Sequence, residues 1–98
     1  MNTYTVYILY SQSIDRFYIG YTYNFNQRLN FHNSPLNKIW TKRGQPWKEF
    51  LTIDKLSKSQ AIRIEKYLKT KKSKGYINNL KHNKSLIEEL KYKFDQRI

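Results

Sequence analysis

Two short runs rich in β-branched and aromatic residues lie close together near the N-terminus, and they constrain the fold more than any other feature. Residues 4–10 read Tyr-Thr-Val-Tyr-Ile-Leu-Tyr, and residues 17–22 read Phe-Tyr-Ile-Gly-Tyr-Thr. Both compositions are typical of strands. Because only a short segment joins them, the two runs are predicted to form an antiparallel hairpin. Gly20 lies inside the second run, where a glycine usually marks a bulge or a close backbone approach.

The rest of the pattern adds one strand and two or three helices. Asn24 is a candidate N-cap for a first helix, and Ser57 or Ser59 for a second. The elements predicted after the hairpin are a helix over 25–33, a proline-containing loop over 34–47, a strand over 48–56, a helix over 59–72 that ends at Ser73-Lys74-Gly75, and a helical segment over 76–98. The order ββαβα(α) predicts one α+β domain.

The C-terminal segment carries an apolar residue at every fourth position, namely Leu86, Leu90 and Phe94. These side chains need to be covered, which favours a docked helix over a DNA-clamping arm or a dimer contact. We therefore expect a domain over residues 1–80 and a helical extension over 81–98 that docks on it.

Composition excludes several classes of protein. The chain has 98 residues, no cysteine and a formal net charge of +12. Without cysteine, neither a disulfide framework nor a cysteine-based zinc site can form. No run approaches the ~18 apolar residues of a membrane span, and the N-terminus does not resemble a signal peptide. We therefore expect a cytoplasmic protein with no membrane as its partner. On charge alone, nucleic acid is the leading anionic partner and an acidic membrane surface is the next, and charge does not separate the two.

The first predicted helix places charged and apolar residues together. At helical spacing Phe25, Leu29 and His32 share one face, and Arg28 lies between them. The structural interpretation is that Arg28 runs along the apolar stripe and His32 packs at its edge. The functional interpretation is a guanidinium and an imidazole placed together for chemistry.

The second predicted helix contains an isolated acidic residue. From Lys55 to Gly75 there are eight basic residues and one acid, Glu65. Glu65 borders the apolar stripe formed by Ala61, Ile64 and Leu68. Burying a carboxylate without a partner is costly. Two explanations remain open: an ion pair with a buried cation such as Arg28, or a ligand for a hard metal ion.

The strands contribute tyrosines that alternate with the apolar positions. Tyr7 lies between Val6 and Ile8, and Tyr18 between Phe17 and Ile19. Such tyrosines can pack in a core, stack on bases, or act as acids and bases. Sequence alone does not fix the hairpin register, so it leaves open whether Tyr7 and Tyr18 are neighbours.

Together these residues resemble the signature of the GIY-YIG nuclease family. Tyr7 is followed eleven residues later by Tyr18-Ile19-Gly20, then by Arg28 and, four residues on, by His32. Glu65 lies on a helix after a third strand, where the family keeps its metal-binding glutamate. The stretch from Thr41 to Trp47 resembles the small stand-alone bacterial branch. The resemblance covers residues 3–80, although the first motif reads Thr5-Val6-Tyr7 and lacks its glycine. Asn78 or Asn79 could supply the late asparagine that many members carry.

The resemblance implies a fold and an activity. The fold would be α+β, with a small three-stranded antiparallel sheet flanked by helices. The activity would be a metal-dependent endonuclease that hydrolyses DNA phosphodiester bonds with one Mg²⁺ or Mn²⁺ ion. Its implied catalytic residues are Tyr7, Tyr18, Arg28, His32 and Glu65, with Glu65 as the metal ligand. Residues expected to contact nucleic acid are Gly20, Lys42, Arg43, Arg63, Lys66 and Lys69.

Within this resemblance, a tyrosine would accept a proton from water with the help of His32, and Arg28 would meet the charge on the phosphate. A tyrosine base needs its ordinary pKa near ~10 to be lowered. The substrate would be DNA, with RNA not excluded, and structure selectivity and a role in DNA repair or recombination would fit. We expect a monomer or a weak homodimer. The alternatives are an inactive nucleic-acid-binding module on the same fold and a basic structural protein without a site.

Overall fold

The computed structural model describes residues 3–71 and 73–95. Its strands are β1 (Tyr4–Ser11), β2 (Arg16–Thr22) and β3 (Trp47–Leu56), and they form one antiparallel sheet in the order β2-β1-β3. Alternation along β1 sends Val6 and Ile8 to one face of the sheet and Tyr7 to the other. The first face packs into the main apolar core, and the second carries the polar chemistry described below.

In the part of the chain that the structure describes, five helical segments cover and connect the strands. They are α1 (Phe25–His32), a 3-10 helix (Trp40–Gly44), α2 (Lys58–Thr70), α3 (Lys74–Lys81) and α4 (Lys84–Lys93). Asn24 caps α1 through its side-chain oxygen, which accepts from the backbone N–H of Gln27. Ser57 and Gln60 form a reciprocal capping box at the start of α2. The α+β class and the three-stranded antiparallel sheet flanked by helices are therefore confirmed.

The main core joins the sheet to α2, α3 and α4. Its buried residues are Val6, Ile8, Ile19, Ile53, Leu56, Ala61, Ile64, Leu68, Ile77, Leu80 and Leu90. Gln60 also ties α4 to α2, because its side-chain amide donates to the backbone carbonyl of Lys91 at 2.9 Å. Among residues 3–71 and 73–95, no helix is long and apolar enough to cross a membrane.

The C-terminal segment differs from the prediction in one respect. Ser73, expected as part of a helix stop, is the N-cap of α3, and its hydroxyl accepts from the backbone N–H of Tyr76. Gly75 lies inside α3 without a positive φ angle, so it ends no helix. Asn83 caps α4 and divides the predicted helical segment into two helices. Residues 96–98 of that segment lie outside the described residues.

The segment predicted as a loop, 34–47, is more ordered than expected. It contains the 3-10 helix, and the Gln45–Pro46 peptide bond is cis. The Asn33 side chain holds the end of this segment at Trp47. It accepts from the backbone N–H of Trp47 and donates to the backbone carbonyl of Trp47. Gln45 donates to the backbone carbonyls of His32 and Ser34. Side-chain hydrogen bonds therefore hold this connection against the end of α1.

Candidate active site

The hairpin register brings the two candidate tyrosines together. Tyr7 pairs with Gly20, and Leu9 pairs with Tyr18. Tyr7 and Tyr18 are therefore diagonal neighbours on one face, with ring centroids 6.1 Å apart. A Cβ atom on Gly20 would lie 2.6 Å from the Tyr7 hydroxyl oxygen. The close approach predicted at Gly20 is thus made by the phenol ring of Tyr7, which any larger residue would displace.

Helix α1 supplies two nitrogen groups to the same hydroxyl. The Nε–H of Arg28 donates to Tyr7 Oη at 3.4 Å, and His32 Nε2 lies 3.0 Å from that oxygen. The Arg28 guanidinium also stands over the Phe31 ring, 4.6 Å from its centroid. The four-residue spacing of Arg28 and His32 places both beside Tyr7, because residues one helical turn apart share a face.

His32 is fully buried rather than packed at the edge of an apolar stripe. Its Nδ1 lies 3.0 Å from the Thr41 hydroxyl oxygen, and this oxygen accepts from the side-chain amide of Asn37 at 2.8 Å. Within the described part of the chain, the Thr41 hydroxyl proton has one acceptor, His32 Nδ1. A neutral imidazole that accepts at Nδ1 carries its proton on Nε2. The network therefore assigns His32 as a donor to Tyr7 Oη.

The protonation states follow from burial and charge. Burial raises the pKa of Tyr7 to about 12, although its hydrogen bond to Arg28 acts in the opposite direction. Burial, reinforced by the charge of Arg28, lowers the pKa of His32 to about 4. Burial is the largest influence on the pKa of Arg28 and lowers it, but the hydrogen bonds and charge interactions with Tyr7 and Tyr18 together outweigh burial, so the pKa is raised. At neutral pH the free protein thus holds a phenol, a neutral imidazole and a guanidinium. The lowered tyrosine pKa that a base needs is not found at Tyr7.

Glu65 projects from α2, with 16% of its side chain exposed. Its partner is Lys69, one turn further along α2, with Nζ 3.6 Å from Oε1. The suggested ion pair with Arg28 is not formed. In the described ranges, no group of three or more His, Cys, Asp or Glu side chains could enclose a metal ion. A single carboxylate with hydroxyl groups nearby fits a hydrated Mg²⁺ or Mn²⁺ ion, which retains water and also binds substrate phosphate.

Four of the five candidate catalytic residues line one open cleft of about 470 Å³. They are Tyr7, Tyr18, Arg28 and Glu65. His32 lies behind Tyr7, where it contacts the hydroxyl but not the cleft. The remaining lining residues are Tyr4, Gly20, Tyr21, Thr22, Tyr23 and Lys58. Residues separated by almost sixty positions along the chain are thus gathered around one concave surface.

The basic residues predicted to contact nucleic acid are spread over several surfaces. Arg63 and Lys66 are exposed and line a hollow that also includes Lys58. Lys42 is exposed and donates to the backbone carbonyl of Pro35. Arg43 lines a different hollow, described below. Their roles stay predictions. Asn78 and Asn79 are exposed on α3 and do not line the catalytic cleft.

Sequence reasoning missed three residues at the site. Lys58 lines the cleft seven positions before Glu65, a spacing that puts both on one face of α2 and could have revealed it. Thr41 and Asn37, which orient His32, lie in a segment predicted as a loop. No pattern in the sequence signals their contact with His32, since it depends on how that segment folds back on α1.

Comparison with known proteins gave one family match. The family model of the GIY-YIG catalytic domain matches residues 3–81 of the 98-residue chain. Searches of curated proteins and of solved structures returned no match. GIY-YIG domains are those of a nuclease family that acts on nucleic acid and generally depends on a divalent metal ion. From the family match, together with the ββαβ order and the shared cleft, the chain belongs to the GIY-YIG family.

Proposed function

We propose that the protein is a metal-dependent endonuclease that hydrolyses phosphodiester bonds of DNA in the cleft lined by Tyr7, Tyr18, Arg28 and Glu65. One observation carries the proposal: groups suited to proton transfer, to charge stabilisation and to binding a hard cation share one open surface. Family membership supports nuclease chemistry in general. The choice of DNA, the ion and the role of each residue are the proposal.

Arg28 is proposed to bind the phosphate. Its Nε–H is used by Tyr7, but a guanidinium has five N–H donors, so others remain available. It lines the cleft and stays charged, because Tyr7 and Tyr18 together raise its pKa despite burial. Its contact with the Phe31 ring holds the group in place before substrate arrives. A fork of charge-assisted donors is suited to the extra negative charge of the transition state.

Tyr7 is proposed as the general base, with His32 acting through it. A phenol that accepts hydrogen bonds from Arg28 and His32 has its own O–H left for the cleft. After that proton passes to bulk solvent, the same two donors stabilise the phenolate, which can then accept a proton from the attacking water. His32 is fully buried behind Tyr7 and does not reach the cleft, so we assign it a positioning role.

Glu65 would hold the divalent ion, for which we propose Mg²⁺ or Mn²⁺. When bound, such an ion supplies Lewis-acid stabilisation of charge on phosphate oxygens. The partial burial of Glu65 keeps the carboxylate directed at the cleft. Lys58 extends positive charge from the cleft towards Arg63 and Lys66, which supports a path for the backbone of the nucleic acid.

A substrate panel tests the proposal. Plasmid, linear duplex, single-stranded and branched DNA would be incubated with Mg²⁺, Mn²⁺ or EDTA, and nicks would be counted on gels. The key variant is Glu65→Gln, and the matched control is Glu89→Gln, which alters an exposed carboxylate on α4. We expect metal-dependent cleavage that Glu65→Gln abolishes and Glu89→Gln preserves, with DNA binding retained by both.

Two results would contradict the nuclease proposal. One is the absence of cleavage of every substrate with either ion. The other is equal cleavage by the wild type and by Glu65→Gln. Salt-sensitive DNA binding without cleavage would instead identify an inactive binding module, because phosphate contacts release counterions whether or not chemistry follows.

A further inference from the structure

Trp40 is a large aromatic residue that the structure leaves 48% exposed. It begins the 3-10 helix, and its ring packs edge-on against Tyr18 and Trp47, each 5.8 Å away between centroids. The indole N–H of Trp47 donates in turn to the backbone carbonyl of Thr41, the next residue along the chain. Trp40 is therefore held by its neighbours while about half of its surface faces solvent. An aromatic ring fixed before binding loses little entropy when a ligand stacks on it.

Two arginines stand beside this ring. Arg16, Arg43 and Trp40, together with Ile14, line a hollow of about 620 Å³. Both arginines are exposed, and neither forms an ion pair with a carboxylate in residues 3–71 or 73–95. Arginine and an exposed indole together suit a ligand that has a flat aromatic group and a negative charge. A nucleotide has both.

Tyr18 lies between the hollow and the catalytic cleft. That residue lines the cleft and contacts Trp40 with its ring. The cleft also bears Tyr23, whose side chain is 70% exposed. A strand bound at Arg28 would therefore have an exposed aromatic ring available in the cleft and another just beyond Tyr18.

We propose that Trp40, flanked by Arg16 and Arg43, is a stacking site for an unpaired nucleobase adjacent to the phosphate that is cut. A base inside a continuous duplex has both faces covered by its neighbours, so it cannot stack on Trp40 without leaving the helix. The site therefore selects nucleic acid with an unpaired nucleotide next to the cleavage position. This inference rests on the proposed function only in placing the strand in the same cleft.

Binding without cleavage tests the site. A labelled single strand, the matching duplex and a single strand with abasic positions would be titrated by fluorescence anisotropy in EDTA. Base-aromatic stacking predicts that Trp40→Ala weakens single-strand binding roughly 5- to 140-fold. Duplex binding should change much less, and the abasic strand should bind the wild type about as weakly as the intact strand binds Trp40→Ala. Trp40→Phe, which keeps a ring, should recover most of the affinity.

Two further variants sharpen the result. Tyr92→Ala removes an aromatic residue that is 86% exposed on α4, outside both surfaces, and should leave binding unchanged. Arg43→Gln should weaken single-strand binding and reduce its salt dependence, because one phosphate contact is lost.

Single strands should also quench the fluorescence of Trp40. This quenching should vanish in Trp40→Phe, where buried Trp47 is the remaining source of tryptophan fluorescence.

Equal loss of single-strand and duplex affinity in Trp40→Ala would overturn the proposal, as would tight binding of the abasic strand. If Trp40→Ala does not fold by circular dichroism, the abasic titration and Trp40→Phe decide the question alone. None of these measurements requires cleavage. Failure of the stacking site therefore leaves the nuclease proposal standing if Glu65→Gln abolishes cleavage, and failure of the nuclease proposal leaves the stacking site testable.

Discussion

Acid should destabilise this protein through His32. The imidazole is fully buried and accepts a hydrogen bond at Nδ1, so a second proton has no place in the native network. Its pKa is lowered from an ordinary value of 6.5 to about 4. In the unfolded chain the residue regains its ordinary pKa, so below about pH 6.5 the unfolded state binds the extra proton first. Stability contributed by neutral His32 is therefore fully present above that pH and is lost as the pH falls towards 4.

The size of the effect follows from the shift. A difference of about 2.5 pKa units corresponds to about 3 kcal/mol, lost at about 1.4 kcal/mol per pH unit. A domain of this size has a free energy of unfolding of roughly 5–15 kcal/mol, so the loss is a large fraction of the total.

The assay is urea denaturation at a series of pH values for the wild type, His32→Gln and His82→Gln. His82 is exposed at the end of α3, which makes it a matched control for the loss of an imidazole. Differences between the curves cancel the titration of the carboxylates. We expect the wild type and His82→Gln to lose stability in parallel, and His32→Gln to lose about 3 kcal/mol less over this range. Parallel curves for all three proteins would refute a buried, neutral His32.

Four further predictions concern the cleft and the packing that supports it. Cleavage should rise about tenfold per pH unit from about pH 6 to about pH 9, because a pKa of about 12 leaves the phenolate of Tyr7 scarce; a flat rate profile would exclude that base. Thr41→Val should lower the single-turnover cleavage rate without changing DNA affinity, whereas Thr41→Ser should keep the rate because it retains the hydroxyl bonded to His32; equal rates in the two variants would contradict the assigned tautomer. Gly20→Ala should lower the free energy of unfolding by about 1–3 kcal/mol, because the Cβ of the alanine would displace the Tyr7 ring. An unchanged free energy in urea denaturation would show that the ring moves aside without cost. Leu90 lies in the main core, so Leu90→Ala should lower the free energy of unfolding by about 2–5 kcal/mol. A loss near zero in urea denaturation would indicate that α4 is only weakly docked.

The parts of the fold set by local chemistry could be predicted from sequence. The strand composition of residues 4–10 and 17–22 predicts the hairpin, and Asn24 and Ser57 cap the helices that follow them. Ser73 is not predicted correctly because the run Ser73-Lys74-Gly75 fits both the end of one helix and the start of another. The hydrogen bond from the backbone N–H of Tyr76 to the Ser73 hydroxyl identifies Ser73 as an N-cap, and this contact requires α3 to form.

The site could be predicted as a set of residues but not as a network. The spacing of Arg28 and His32 indicates that they share a face, and the resemblance adds Tyr7, Tyr18 and Glu65. Nothing local indicates that Thr41 reaches His32, because the 3-10 helix must first fold against α1. Sequence alone does not give the direction of the pKa shift at Tyr7, because burial, its largest cause, depends on how the chain folds.

The most direct test of the account is the cleavage rate of Tyr7→Phe under single-turnover conditions with saturating Mg²⁺ or Mn²⁺. This change removes one oxygen, and with it the acceptor shared by Arg28 and His32, while the ring against Gly20 remains. We predict that the rate falls by a factor of at least about 10² while DNA affinity stays close to that of the wild type and the protein remains folded. Cleavage at the wild-type rate would show that the chemistry does not depend on the Tyr7 hydroxyl and would contradict the central claim.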